Sequence, residues 1–187
     1  MRRALWSLIA ACHAIFCMEA HAMEVVELER LLSTDKPGLV RFVEIRESPW
    51  LSAPVETRGQ LRWTTGRLDK QVESPRAETW RILEDRIEWV SGDGSQKRQI
   101  LLEKAPAVAV FADAIRFALS GDLSSLSQRF LIEVTGNPSG WALTLRPRDA
   151  GFTRLVESIL MKGAGPRLQE LIVVEPRGER TITRLIY

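Results

Sequence analysis

Two hydrophobic periods divide the sequence. Over Val25–Ser33 the apolar residues Val25, Leu28, Leu31 and Leu32 recur near helical spacing, with glutamates between them, and Asp35-Lys36-Pro37-Gly38 ends the run. This predicts a short amphipathic helix. From Leu39 the period falls to two. Leu39–Arg46 places Phe42, Glu44 and Arg46 on one face and Arg41, Val43 and Ile45 on the other. Val55–Thr64 alternates throughout: Val55, Thr57, Gly59, Leu61 and Trp63 against Glu56, Arg58, Gln60, Arg62 and Thr64. One wet face and one covered face is the signature of an antiparallel sheet. Further strands are predicted over Leu68–Glu73, Glu78–Leu83, Arg86–Ser91 and Gln96–Glu103. Turns fall at Ser74-Pro75, at Glu84-Asp85 and at the hairpin signal Gly92-Asp93-Gly94.

Pro106 then opens a predicted helix, Ala107–Leu119, and Gly121 closes it, with Asp122 capping a helical turn that runs to Arg129. Strands resume over Phe130–Thr135 and Trp141–Arg146. After an ambiguous stretch, Asp149–Val156, they continue over Glu157–Lys162, Arg167–Glu175 and Arg180–Tyr187. The expectation is an α+β chain of mostly antiparallel β structure, with about ten or eleven strands and two or three helices. No repeat, low-complexity tract or linker marks a second domain, so residues 23–187 are expected to form one.

The first 22 residues follow different rules. Arg2 and Arg3 form a positive start, Ala4–Met18 is mostly apolar, and Ala20-His21-Ala22 is a small-x-small cleavage site. Roughly 15 apolar residues are too few to span a bilayer, which takes about 20. Residues 1–22 are therefore expected to be a signal peptide cleaved after Ala22, which exports the chain to a periplasm. Two alternatives are a buried N-terminal helix and lipidation at Cys12, since Ile9-Ala10-Ala11-Cys12 is similar to a lipobox.

Composition sharpens the functional reading through this segment. The only cysteines, Cys12 and Cys17, and the only histidines, His13 and His21, all lie in it. Its loss leaves 165 of the 187 residues. Removing Arg2, Arg3 and Glu19 from 26 basic and 24 acidic residues leaves 24 and 23. So balanced a charge gives no case for nucleic-acid binding. Without Cys or His, the mature chain lacks thiol nucleophiles, His-based triads and the usual zinc ligands. It also has no phosphate loop, and Ser124, Ser125 and Ser127 have no histidine to activate them. No enzymatic activity, cofactor or metal site is expected.

What remains is apolar surface. Trp63, Trp80, Trp89 and Trp141 each sit two positions from another apolar residue, Leu61, Ile82, Ile87 and Leu143 respectively, and are expected to share the concave face of the sheet. They would line either a broad apolar wall or an ordinary sandwich core. The helix Ala107–Leu119 carries one stripe of Val108, Phe111, Ala112, Ile115 and Leu119 and a second of Val110, Ala114 and Phe117. Only Asp113 and Arg116 are charged. A helix apolar nearly all round is covered on both sides, either packed against the sheet or plugging a curved one above a cavity.

The order and spacing of several motifs resemble the LolA family of periplasmic outer-membrane lipoprotein carriers, in its divergent LolA-related branch. They are Phe42-x-Glu44-x-Arg46; Leu51 and Pro54; Gly59-x-Leu61-x-Trp63 followed by Leu68; Leu119-x-Gly121-Asp122 with Leu126 and Phe130; Trp141-x-Leu143-x-Leu145-x-Pro147; Ile159 to Gly163; and a final hairpin at Gly178. The resemblance covers nearly the whole mature chain. It implies a strongly curved, unclosed β-barrel with helices as lid or plug, and an apolar cavity that takes acyl chains without catalysis. The bound chain is expected to lie against Phe42, Leu61, Trp63, Trp80, Ile82, Trp89, Ile132, Trp141 and Leu143, beneath Phe111 and Ile115. In this family an arginine of an Arg-Pro pair helps to hold the lid closed. Here Thr64-Thr65-Gly66-Arg67-Leu68 occupies that stretch without the pair, and the lid contact passes to Arg67.

The resemblance further implies a monomer that takes an acylated lipid or lipoprotein from an inner-membrane donor complex to an outer-membrane acceptor, touching membranes only transiently. An anchored receptor of the LolB type, tethered through Cys12, and a non-carrying scaffold or sensor with a filled core are the alternatives.

Overall fold

Eleven strands pair in an order that leaves two edges unjoined. The computed structural model describes residues 23–34, 38–64, 66–105, 109, 112–116 and 120–187. The strands are β1 (Leu39–Glu47), β2 (Val55–Thr64), β3 (Arg67–Ser74), β4 (Glu78–Ile82), β5 (Arg86–Ser91), β6 (Lys97–Leu101), β7 (Phe130–Asn137), β8 (Gly140–Pro147), β9 (Ser158–Ala164), β10 (Arg167–Val174) and β11 (Arg180–Ile186). They form one antiparallel sheet in the order β6-β5-β4-β3-β2-β1-β11-β10-β9-β8-β7. Each half is a run of consecutive hairpins, which need only short turns. The first strand pairing with the last, Phe42 opposite Leu185 and Glu44 opposite Thr183, joins the halves. The sheet is strongly curved, and β6 and β7 do not pair, so the barrel stays unclosed.

The connection between those two edge strands, residues 102–129, carries a central helical segment. Residues 109, 112–116 and 120 are helical, and a 3₁₀ turn follows at Ser124–Gln128. Phe111, with Val108, Val110, Phe117 and Leu119 of the expected apolar stripes, lies outside the described residues, as does the whole expected signal segment. Gly121 takes a left-handed φ of 78°, and Asp122 accepts a hydrogen bond from the Ser125 amide at 3.2 Å, so this junction is the helix stop and cap that its residues predict. Asp113 ties the helical segment to the following turn by pairing with both Arg116 and Arg129 at 2.6 Å. The predicted N-terminal helix is α1 (Val25–Leu32), which buries Leu28 and Leu32. The ambiguous stretch contains a one-turn helix, Ala150–Thr153, whose Asp149 cap accepts from the amides of Gly151 and Phe152.

The strand expected to run to Glu103 ends at Leu101. The Leu102 amide donates to the Asp85 carbonyl at 2.9 Å, and the chain coils into a 3₁₀ turn, Leu102–Lys104, that buries Leu102. The main core sits over β7–β10. Leu28, Leu32 and Ala114 from the helices meet Phe130, Trp141, Leu143, Leu145, Ile159 and Met161 from the strands. A smaller cluster of Ile87, Leu102 and Ala112 covers β4 and β5. Between these two clusters the side chains of the described residues leave a space on the sheet's inner face.

Candidate ligand cavity

Cross-strand register identifies which side chains share that inner face. Leu61 lies opposite Lys70, which lies opposite Trp80, which lies opposite Trp89. On the other side of the β1–β11 join, Glu44 lies opposite Thr183 and Thr183 opposite Leu171. Directly opposed residues point the same way, so one face runs continuously from β5 through β1 to β10. A cavity of about 540 Å³ occupies its middle, within the range of small-molecule pockets.

The first half of the chain contributes Val40, Leu61, Trp63, Leu68 and Ile82 to the lining; the second contributes Leu168, Leu171, Val173 and Leu185. Ile115 of the central helical segment also lines it, and Phe152, Leu155 and Val156 close one side. Register shifts between Leu168 and Glu170, so Leu168 and Leu171, an odd number apart, both face inward. Of the residues expected to contact a ligand, Leu61, Trp63, Ile82 and Ile115 therefore come together around one space.

The others are placed elsewhere. Phe42 is buried beneath Lys70, whose Nζ lies 5.0 Å from the ring centroid. Gly59, its cross-strand neighbour, leaves room for that ring: an added Cβ would fall 1.9 Å from the Gln71 carbonyl oxygen and 3.0 Å from Phe42 Cε1. Trp80 packs against the smaller cluster, and Trp89 lies beside it, the two rings tilted at 57° with centroids 6.3 Å apart. Their indole N–H groups each donate to one oxygen of Glu78 at 2.8 Å. Trp141 and Leu143 are packed into the main core, and Ile132 lies against it. The indoles thus share a face but not a function in packing: only Trp63 reaches the cavity. Arg67 pairs with Asp69, Nε to Oδ1 at 2.7 Å, one position out of phase with the cavity residues Leu68 and Lys70. That carboxylate raises the pKa of the guanidinium further. Trp50, in the β1–β2 loop, is 74% exposed.

The sequence reading missed a polar group inside this apolar lining. Lys70 Nζ lies 2.6 Å from both carboxylate oxygens of Glu44, and Thr183 Oγ1 donates to Glu44 Oε2 at 2.9 Å. Glu175 and Thr181 extend the polar stretch along the same wall. The alternation of β1 had already put Glu44 beside Phe42 on one face. A charged residue on an apolar face was the available signal.

A sequence model described as "Outer membrane lipoprotein carrier protein LolA-like" matches residues 18–186. The chain belongs to this LolA-like family. The family is one of binding and carriage and is periplasmic. Similar solved structures include a LolA superfamily protein, NE2245, from Nitrosomonas europaea, at 12% identity and a TM-score of 0.46, covering 86% of this chain and 90% of that one. MucB in complex with MucA(peri) is similar at 10% identity and a TM-score of 0.43, over 87% of this chain and 54% of that one. An outer membrane lipoprotein-sorting protein domain from Vibrio parahaemolyticus follows at 7% identity and a TM-score of 0.42, covering 86% and 88%. No curated protein matches the sequence. Among the described residues, no helix of this LolA-like chain is long and apolar enough to cross a membrane.

Proposed function

We propose that this LolA-like protein is a periplasmic carrier that encloses an acyl chain of a lipid, lipoprotein or lipid-linked precursor and moves it toward the outer membrane. The observation that carries the reading is the 540 Å³ cavity, walled by leucine, valine, isoleucine and tryptophan side chains from both halves of the sheet. Each CH₂ removed from water is worth about 0.8 kcal/mol, so exposing a ~16-carbon chain costs roughly 12 kcal/mol. A soluble carrier must therefore surround the chain rather than hold it on a surface. The cavity residues Leu61, Trp63, Ile82 and Ile115 would contact it, joined by Leu68, Leu171 and Leu185. The protein performs no catalysis and works as a monomeric single domain, residues 23–187, after loss of the signal peptide. It receives cargo from an inner-membrane donor and yields it to an outer-membrane acceptor.

Native mass spectrometry of protein purified from its own periplasm tests this reading. A lipid mass that co-purifies, and is displaced by a fluorescent fatty amphiphile, is the expected result. A ligand-free protein that binds no amphiphile would sink it and favour the scaffold. The lipobox-like Ile9-Ala10-Ala11-Cys12 supports a second reading, an anchored LolB-type receptor. The mass of the mature N-terminus separates the two: a chain starting at Met23 is the soluble carrier, whereas diacylated Cys12 is the receptor.

A further inference from the structure

We infer that the Glu44–Lys70–Thr183 cluster is a head-group site, selective for an uncharged donor–acceptor group, an amide or a hydroxyl-bearing ester, at the end of the bound acyl chain. The inference rests on the carrier reading of the same cavity. Glu44, Lys70 and Thr183 come from β1, β3 and β11, so the cluster exists only where the two halves of the sheet meet. Side-chain exposure of 24% for Lys70 and 20% for Glu44 leaves both facing the cavity, neither free in solvent. A half-dry ion pair adds little to stability, because desolvation offsets most of its attraction. Apolar side chains would complete this wall as well.

The hydrogen-bond inventory names the ligand class. An ammonium has three donors, and Glu44 takes two. A carboxylate has about four acceptor sites, and Lys70 with Thr183 fills three. One donor and one acceptor stay open side by side, which matches a group that both accepts and donates. A free carboxylate fits poorly. Among the described residues the cavity wall holds two carboxylates, Glu44 and Glu175, against the one ammonium of Lys70. An anionic head would bring a third carboxylate against an ammonium already paired with Glu44, and its charge would face Glu44 at close range.

The full-length mature chain is titrated with lauric acid, lauramide and monolaurin, each displacing a fluorescent naphthylamine probe below its micelle-forming concentration. The pH is about 8, where the laurate carboxyl is ionised. Lauramide or monolaurin is expected to bind about tenfold more tightly than laurate. Lauramide ahead of monolaurin assigns the site to an N-acyl group, and the reverse order assigns it to a glyceride. In the doubly neutral E44Q/K70Q variant the preference should fall below about twofold. Equal binding of all three probes by the native protein, or a variant that keeps the full preference, overturns the head-group site and leaves the carrier reading intact. Binding of none of them overturns both.

Discussion

The indole of Trp141 lies directly over Gly163, its cross-strand neighbour. A Cβ on Gly163 would fall 2.2 Å from Trp141 Cζ2 and 2.2 Å from the Arg167 carbonyl oxygen. The indole N–H donates to the Gly165 carbonyl at 2.8 Å, so the ring is fixed at both its face and its tip. Gly163→Ala is expected to part β8, β9 and β10 at a cost of about 2 to 3 kcal/mol. Calorimetry should register this as a fall in Tm of roughly 5 to 10 °C. Gly165→Ala is the control. Its Cβ meets open space, and only the left-handed φ of 54° opposes it, a penalty of about 1 to 2 kcal/mol.

Ile115 lines the cavity, whereas Ile132 lies against the filled core. Ile115→Asp puts a carboxylate where an acyl chain would lie. It is expected to weaken binding of a fluorescent fatty amphiphile by about tenfold or more, with an unchanged circular dichroism spectrum. Ile132→Ala should do the reverse, lowering stability by about 1 to 3 kcal/mol and leaving affinity unaltered. A folded Ile115→Asp protein with native affinity would count against the carrier reading.

Glu78 joins Trp80 and Trp89 by accepting one indole N–H on each oxygen. Glu78→Ala removes both bonds and leaves two part-buried donors, for an expected loss of about 1 to 3 kcal/mol in urea unfolding. Tryptophan emission should change with it. Because neither indole lines the cavity, amphiphile affinity should not.

The β5–β6 hairpin carries an acid-sensitive contact. Asp93 accepts hydrogen bonds from the Ser91 hydroxyl, the Ser95 amide and the Ser95 hydroxyl, which together lower its pKa from 3.8 to about 2. A depressed folded-state pKa contributes stability that is present above the unfolded value and lost as pH falls through the folded one. The contribution should therefore be complete above about pH 4 and disappear as pH approaches 2. An NMR titration of the Asp93 carboxyl with a midpoint near 4 would contradict this. Asp93→Asn should flatten the same part of the acid limb.

The local elements were legible because each follows from short-range alternation. Val55–Thr64 and Arg86–Ser91 are strands at the bounds their residues predict, and Gly121-Asp122 is the expected stop and cap. The family was legible too, since its motifs are spaced along the chain and need no knowledge of contacts. Alternation also decided, correctly, that Leu61 and Trp63 share a face. It could not decide where along that face the sheet curves enough to leave a space, and so it grouped Trp63 with Trp80, Trp89 and Trp141. Their different surroundings depend on tertiary neighbours: the Glu78 carboxylate for Trp80 and Trp89, the bare backbone of Gly163 for Trp141. The far wall of the cavity was hidden for the same reason. Leu171, Leu185 and Thr183 face Glu44 and Lys70 only because β1 pairs with β11, more than a hundred residues away in sequence. Leu168 and Leu171 join the same wall only because the irregularity in β10 resets its parity. Periodicity along the chain determined which side chains face inward; the long-range pairing and the curvature of the sheet decided which of them surround a cavity and which fill the core.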